Sequence, residues 1–214
     1  MKFSIVIPAR NEEAYIVPCL ESICRAARPY PGQVEIIVVL NRCTDATERI
    51  ALEYGARIAR DDSKNLSRIR NTGARAAAGG IIVTIDADSR MSDNMLVKID
   101  KALSSGKYIG GGVLVTPERR SLGIIMTEIV LWVSLFLSGL AGGSYWCYRA
   151  DFEAIGGFDE NMLTAEDLDF ARRLKKHGRR QGKRLTTLLT AHIITSCRKF
   201  DRFGDWFMLK MLFL

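Results

Sequence analysis

The segment Ile81-Ile82-Val83-Thr84-Ile85-Asp86-Ala87-Asp88 constrains the chain most, because an apolar, β-branched run ends there in two carboxylates spaced i, i+2. The run predicts a buried strand. In an open α/β sheet, ligands bind outside the carboxyl ends of the strands, and two hard oxygen ligands at that place suit Mg²⁺ or Mn²⁺. Acids also end strands merely to turn the chain or to cap the next helix, so the spacing alone leaves both interpretations open.

Short apolar runs alternate with segments of helical spacing along the first half of the chain. The predicted strands are 2–7, 34–40, 57–59 and 81–85, and the predicted helices are 12–25, 44–54 and 67–78. This alternation predicts βαβ units and a largely parallel sheet. The second half is less regular, with helices expected at 91–103 and 164–177 and strands at 107–116, 144–149 and within 184–196. No break in composition divides the 214 residues, so we expect a single domain.

The net charge of +7 is compatible with phosphate-bearing ligands, an anionic membrane surface or nucleic acid. Nucleic acid is not expected as a partner, because no helix-turn-helix or aromatic platform accompanies the charge. The five cysteines form no CxxC pair, and two histidines are too few for a recognisable zinc set. With an odd cysteine count and a chain that enters a predicted strand at once, we expect a reducing, cytoplasmic compartment.

Six segments occur in a characteristic order: Phe3–Glu13, Asn41–Thr47, Arg70-Asn71-Thr72-Gly73, Asp86-Ala87-Asp88, Gly156-Gly157-Phe158-Asp159 and Glu166-Asp167-Leu168-Asp169. Together they resemble a family 2 glycosyltransferase of the GT-A fold over about residues 2–180. The resemblance implies a Rossmann-related, mostly parallel central sheet flanked by helices. It also implies one catalytic domain over 1–214, with a nucleotide-sugar donor half at about 1–116 and an acceptor half at about 117–214.

The resemblance implies transfer of a sugar from a nucleotide-diphosphate sugar to an acceptor hydroxyl, with inversion. The donor-binding residues would be Pro8, Ala9, Arg10, Asn11, Glu12, Asn41, Arg68, Arg70, Asp86 and Ala87. Asp88, with Asp86, would hold Mn²⁺ or Mg²⁺ against the diphosphate. His192 is a candidate third ligand, although a lone histidine in a strand is more often a hydrogen-bonded core residue. The family usually has Asp where this chain has Leu40, so Asn41 is expected to contact the base in its place.

By the same resemblance, Asp167 in the Glu166-Asp167 pair would be the catalytic base that takes the acceptor proton. The alternative is an ordinary helix start, with Thr164 as N-cap and acids in the first turn.

A small-residue turn, Gly143 and Ser144, together with Trp146 would line the sugar and acceptor pocket. The alternative is that Trp146 and Tyr148 alternate in a strand and fill the core.

Two apolar segments raise the question of a membrane. Residues 122–140 are long enough to span one, but Glu128 lies near the middle, so a core or interfacial helix is favoured. The apolar run 206–214 must dock on the domain, another subunit or a membrane. The basic stretch Arg172–Arg184 could attract anionic lipid or be a solvated helix face. We expect a cytoplasmic enzyme with peripheral contact to the inner membrane, whose acceptor is a glycan, a lipid-linked compound or a small molecule.

The basic pair Arg198-Lys199, after the last predicted strand, could close over the diphosphate or form a solvated turn.

Three other function classes fit the residues less well. A sugar nucleotidyltransferase needs a Gly-rich basic loop after the first strand, and Pro8-Ala9-Arg10-Asn11 is not one. A dehydrogenase fails similarly, because Gly110-Gly111-Gly112 is no GxGxxG. A non-catalytic, membrane-associated module that retains the fold would be expected to lose its acids, whereas Asp86, Asp88 and Asp167 are all present.

Overall fold

A computed structural model describes residues 1–162 and 164–212. The strands are β1 (Phe3–Ala9), β2 (Val34–Leu40), β3 (Arg57–Arg60), β4 (Ile81–Thr84), β5 (Ser89–Met91), β6 (Tyr108–Pro117), β7 (Trp146–Tyr148) and β8 (Arg184–Thr195). The helices are α1 (Ile16–Ala27), α2 (Thr47–Glu53), α3 (Leu66–Ala76), α4 (Met95–Ser104), α5 (Leu122–Ser138), α6 (Arg149–Ala154), α7 (Glu166–Arg180), α8 (Arg198–Phe203) and α9 (Phe207–Leu212). The predicted alternation of strands and helices is confirmed, whereas β5, α6, α8 and α9 were not predicted.

The strands form one eight-stranded sheet in the order β3-β2-β1-β4-β7-β6-β8-β5. Strands β1 to β4 pair in parallel, as the βαβ pattern predicts. Strand β7 pairs antiparallel with both β4 and β6 and joins the two halves of the sheet. Beyond it, β6 and β8 are parallel, and the short β5 is antiparallel on the β8 edge. Strands from both predicted halves therefore share one sheet.

Alternate residues of β1 enter the two layers of the core, since neighbouring side chains of a strand point to opposite faces. Phe3, Ile5 and Ile7 pack into one cluster that contains the buried stripe of α1. Val6 packs into a second cluster on the other face, which contains residues of α3 and α7. Burial on both faces explains why β1 is continuously apolar.

Helix α3 lies unusually close to the sheet because Gly73 has no side chain. A Cβ at this position would lie 2.3 Å from Val6 Cγ1 and 2.8 Å from Val39 Cγ2. The glycine of the Arg70-Asn71-Thr72-Gly73 segment thus has a packing role. It lets the helix approach β1 and β2, and this brings Arg70 to the carboxyl ends of the strands.

The predicted apolar segment 122–140 forms α5, which ends at Ser138 because Gly139 takes up the left-handed conformation at φ +58°. Only Gly123, Ile124 and Thr127 of this helix are buried, so it is not a core helix. Among residues 1–162 and 164–212, no helix combines the length and apolarity needed to cross a bilayer. The predicted C-terminal apolar run is helical in α9 as far as Leu212, and its last two residues, Phe213 and Leu214, lie outside the described ranges.

Candidate active site

A cleft of about 570 Å³ opens at the carboxyl ends of β1, β2 and β4. Eight of the predicted site residues line it: Pro8, Ala9, Arg10, Glu12, Asn41, Asp86, Ala87 and Asp88. Four residues that were not predicted also line it, Arg42, Lys64, Leu66 and Ile69, and Arg198 and Lys199 complete it. Basic side chains converge here from four separate segments, which suits an anionic ligand. Arg42 and Lys64 lie in the loops that follow β2 and β3, and Leu66 and Ile69 lie in the first turn of α3. The loops after parallel strands were the signal available in sequence for the first two.

Three predicted donor contacts are otherwise engaged. The amide nitrogen of Asn41 donates to the backbone oxygens of Asp61 and Ser63, at 2.5 and 2.6 Å, so this side chain is buried and holds the loop after β3. Asn11 accepts from the backbone N–H of Thr44 at 2.8 Å and does not line the cleft.

Arg68 points away from the cleft, with its Nε 3.5 Å from Asp61 Oδ2. In this structure, therefore, Asn11 and Arg68 of the predicted donor set lie outside the cleft, and Asn41 lines the cleft with its amide already bonded.

Asp88 is tied to the segment that follows β8. Its Oδ2 accepts from Ser196 Oγ at 2.8 Å and lies 3.0 Å from Arg198 Nε. The same guanidinium forms a bidentate pair with Glu12, at 2.7 and 2.9 Å. Arg198 therefore spans the cleft from α8 to the loop after β1 and pairs with two carboxylates that are each nearly buried.

Asp86 lies where the cleft meets a second, smaller cavity. This cavity, the Asp167 pocket, has a volume of about 140 Å³ and is lined by Arg70, Thr84, Ile85, Asp86, Ser89, Val115, Gly143, Ser144, Asp167, Ile193 and Thr195. The side chain of Asp86 is 58% exposed, whereas that of Asp88 is 13% exposed. The two acids that end β4 therefore differ: Asp86 faces both openings, and Asp88 is held at the wall.

Arg70 is the centre of the charge network. Its guanidinium donates to Asp86 Oδ1 at 3.1 Å, Glu166 Oε1 at 3.1 Å and Asp167 Oδ1 at 2.9 Å. The side chain is only 7% exposed and lies over the ring of Phe158 at 5.3 Å. Burial alone would lower the pKa of Arg70, but Asp86 and Asp167 outweigh that effect and raise it. Arg70 is thus a permanent cation shared by three acids rather than the free phosphate ligand that the sequence predicts.

Glu166 and Asp167 occupy the first turn of α7, but the N-cap differs from the one in the alternative interpretation. The N-cap residue is Ala165, at a left-handed φ of +58°, and it makes no side-chain cap bond, so Thr164 does not cap the helix. Desolvation in the pocket raises the pKa of Asp167 to about 6, against the attraction of Arg70 and with help from the charges of Glu166 and Asp86. A carboxylate that titrates near neutrality can serve as a general base.

Asn71 joins two of the sequence segments into one structural unit. Its amide nitrogen donates to the backbone oxygen of Phe158 at 2.8 Å, and its amide oxygen accepts from the backbone N–H of Phe158 at 2.9 Å. The ring of Phe158 stacks on Phe170 of α7 at 4.3 Å. This chain of contacts fixes the start of α7 relative to α3, and so fixes Asp167 relative to Arg70.

Two of the three residues predicted for the sugar pocket line the Asp167 pocket, and the third does not. Gly143 and Ser144 line the Asp167 pocket, and the hydroxyl of Ser144 donates to the backbone oxygen of Thr84. Trp146 is fully buried, and its indole N–H donates to the backbone oxygen of Gly112 at 3.0 Å. Strand alternation turns Trp146 into the core, so it cannot stack on a sugar.

His192 is not brought to the two acids. It lies in β8, where its backbone N–H donates to Ser92 Oγ at 3.1 Å, and it lines neither the cleft nor the Asp167 pocket. Within the described residues, no three side chains of His, Cys, Asp or Glu are grouped to hold a metal. Asp86 and Asp88 nevertheless fit Mg²⁺ or Mn²⁺, because these ions are commonly held by one or two carboxylates with water and substrate phosphates completing the shell.

Comparison with known proteins identifies the family. Residues 4–133 match the sequence model described as "Glycosyl transferase family 2". The chain belongs to this family.

Curated relatives of this family 2 chain match it in part. It is 34% identical over 101 residues to the uncharacterized glycosyltransferase EpsJ of Bacillus subtilis. The aligned region covers 45% of this chain and 28% of EpsJ. It is 26% identical over 205 residues to the beta-monoglucosyldiacylglycerol synthase of a Nostoc species. That aligned region covers 80% of this chain and 40% of the synthase. The chain thus spans well under half the length of either relative.

Solved structures confirm the predicted GT-A fold of this family 2 member. The S. aureus TarS structure in complex with UDP-GlcNAc superposes with a TM-score of 0.72 at 18% identity, covering 92% of this chain and 58% of that one. The mannosyltransferase PcManGT from Pyrobaculum calidifontis, in complex with GDP-Man and Mn²⁺, superposes with a TM-score of 0.70 at 20% identity, covering 90% and 56%. At these identities the likeness concerns the fold.

Proposed function

We propose that the chain transfers a sugar from a nucleotide-diphosphate sugar to an acceptor hydroxyl with inversion, using Mn²⁺ or Mg²⁺ at Asp86 and Asp88. The observation that carries the proposal is the position of Asp86 between the basic cleft and the Asp167 pocket. A diphosphate in the cleft would have its sugar directed towards Asp167. Relatives named for glycosyl transfer and neighbours bound to UDP-GlcNAc or GDP-Man support the same donor class.

The cleft provides for the donor in two ways. Leu66 and Ile69 give it an apolar wall suited to a base, and Arg10, Arg42 and Lys64 provide positive charge for phosphate oxygens. A bound divalent cation would neutralise the negative charge that develops on the departing diphosphate.

Asp167 is the proposed base. In the transfer, the acceptor oxygen forms the new bond to the anomeric carbon, its proton passes to Asp167, and the bond to the diphosphate breaks with both electrons leaving on the nucleotide. Arg70 engages Oδ1, while Oδ2 makes no hydrogen bond with the described residues and is available for the acceptor proton. Arg70 therefore holds the carboxylate in place through Oδ1 and leaves Oδ2 for the acceptor.

Two alternative functions remain testable, a sugar nucleotidyltransferase and a non-catalytic module. The test is incubation of the protein with UDP-, GDP-, ADP- and CDP-sugars and Mn²⁺. Nucleoside diphosphate release is measured, and the anomeric configuration of the first sugar product is read by NMR. We expect release of one nucleoside diphosphate with an inverted anomer. Formation of a nucleoside triphosphate and a sugar 1-phosphate when pyrophosphate is added to the donor would support a nucleotidyltransferase, and donor binding without any turnover would support the non-catalytic module.

A further inference from the structure

The surface built by α5 with residues 203–211, here the α5–α9 surface, carries most of the exposed apolar side chains. Of the eighteen large apolar side chains exposed in the described part of the chain, eleven lie on it: Leu122, Ile125, Met126, Ile129, Leu131, Val133, Phe136, Leu137, Phe203, Trp206 and Met211. Phe136 and Leu137 are 85% and 78% exposed. Single exposed apolar residues are ordinary, but a concentration of this kind marks an interaction surface.

The two parts of this surface are held together as one unit. The backbone oxygen of Asp205 would lie only 2.7 Å from a Cβ at Gly123, so the C-terminal segment approaches α5 closely. Arg119, just before α5, binds Asp201 and Asp205 together. The apolar side chains of α5 and of residues 203–211 therefore form one surface.

The rim of the surface is basic. Arg120, Lys199, Arg202 and Lys210 are exposed, and none of them forms a salt bridge with a described residue. The acids of the same segment, Asp201 and Asp205, share the single cation of Arg119, which leaves one acidic charge against these four cations. The only charged residue within α5 is Glu128, which is half-buried. The surface therefore combines an apolar centre with an unpaired cationic edge.

We infer that the α5–α9 surface docks on an anionic lipid bilayer. Apolar side chains would enter the interface, the aromatic residues at 203, 206 and 207 would lie at head-group level, and the basic rim would attract anionic head groups. A second copy of the chain fits less well, because a two-fold interface pairs each patch with itself and would bring the basic rims together. The inference does not depend on the proposed transfer reaction.

The α5–α9 surface lies next to the candidate active site. Helix α8 leads into this surface from Arg198, which lines the basic cleft. On the other side, Leu135 of α5 is the nearest contact of a Cβ placed on Gly142, next to the pocket-lining Gly143. A bilayer on the α5–α9 surface would therefore lie beside both openings of the site.

The test is co-sedimentation with vesicles of phosphatidylcholine alone and with 30% phosphatidylglycerol. We expect binding to the anionic vesicles that weakens at high salt. Phe136→Glu with Leu137→Glu should reduce it at least about tenfold. Each of Arg202→Gln and Lys210→Gln should reduce it about fivefold. The matched control is Leu52→Glu, an exposed apolar position on α2 at the far edge of the sheet, which should bind as the wild type does.

Two results would overturn the inference. One is no binding to anionic vesicles by protein that still binds nucleoside diphosphate in calorimetry, which would leave the transfer proposal intact. The other is a dimer, seen by light scattering, that Phe136→Glu with Leu137→Glu dissociates, which would assign the surface to a second copy. Vesicle binding by protein that binds no nucleoside diphosphate would support this inference and contradict the transfer proposal.

Discussion

Arg70 donates to Asp167 Oδ1 at 2.9 Å across 97 positions of sequence, and this pair couples helix α3 to the start of α7. The same guanidinium reaches Asp86 at the end of β4. The base proposed for the acceptor and the acid proposed for the metal thus share one buried cation. Any change of charge at one of the two acids is felt by the other through Arg70.

Asp167→Asn should leave donor binding intact and lower sugar transfer, or the slow hydrolysis of the donor, by about 100-fold or more, because the acceptor proton has no base. Calorimetry measures the first and nucleotide release the second. Asp169→Asn is the matched control: Asp169 is in the same turn of α7 but is paired with Arg173 at 2.6 Å, so its loss should leave turnover nearly unchanged. Normal turnover by Asp167→Asn would reject Asp167 as the base.

The transfer rate should rise with pH through a limb near 6. Desolvation raises the pKa of Asp167 to about 6, so the carboxylate is protonated and inactive below that pH. A cation bound at Asp86 would favour the ionised form, so saturating Mn²⁺ should move the limb to lower pH. The profile of donor turnover against pH, with and without excess Mn²⁺, checks both points. A flat profile between pH 5 and 8 would contradict them.

Asp167→Asn should also change stability in a pH-dependent way. The carboxyl has a pKa of 3.8 as reference and about 6 in the fold, so the folded chain binds more protons between these values. Ionised Asp167 therefore destabilises the fold as pH rises through this window. Asparagine removes that cost, so the Tm of the variant relative to wild type should increase from pH 4.5 to pH 7.5. A difference that stays constant with pH would argue against a raised pKa.

Arg198→Met should lower the Tm of the metal-free protein and enlarge the stabilisation by Mn²⁺. Without Arg198, the nearly buried carboxylates of Glu12 and Asp88 lose their partner, and a divalent cation can replace the missing charge. Thermal unfolding with and without Mn²⁺ measures both effects. Arg202→Met, in the same helix but exposed and outside the cleft, should behave like wild type. If Mn²⁺ raises the Tm of Arg198→Met by the same amount as that of wild type, Arg198 does not influence the metal site.

Asn71→Ala should destabilise the fold by about 1–3 kcal/mol, because it leaves the buried backbone N–H and C=O of Phe158 unpaired. Denaturant unfolding measures the loss. Arg75→Ala is the control on the same helix; it removes an exposed pair with Glu160, worth about 0–1 kcal/mol, and an exposed hydrogen bond to Thr72 Oγ1. Equal losses in the two variants would contradict the structural role given to Asn71.

The parts of the fold that could be predicted are those whose signal is local. Neighbouring residues suffice to predict strands β1, β2 and β4, which are continuous apolar runs, and the acids that follow β4. The structure has these strands at the predicted positions. Strand β5 has only three residues and exists because it pairs with β8, about a hundred positions later in the chain. Such a strand has no local pattern to detect.

The errors at the site have the same origin. An arginine near a diphosphate site suggests a phosphate ligand, and only the fold reveals that Arg70 is engaged by three carboxylates. Trp146 was assigned to the sugar pocket because aromatic faces stack on sugars. Its burial is decided by the face of β7 that meets the core, which a three-residue strand does not reveal in sequence.

The most direct test of a metal-held diphosphate is the affinity of nucleoside diphosphates, measured by calorimetry with Mn²⁺ and with EDTA. The proteins compared are wild type, Asp88→Asn and the control Asp93→Asn. Asp93 is an exposed acid that pairs with Arg25. We predict that Mn²⁺ strengthens binding of one nucleoside diphosphate at least about tenfold in wild type and Asp93→Asn, and that Asp88→Asn loses this gain. Equal affinities with Mn²⁺ and EDTA in the wild type, or an undiminished gain in Asp88→Asn, would contradict a metal-held diphosphate at the end of β4.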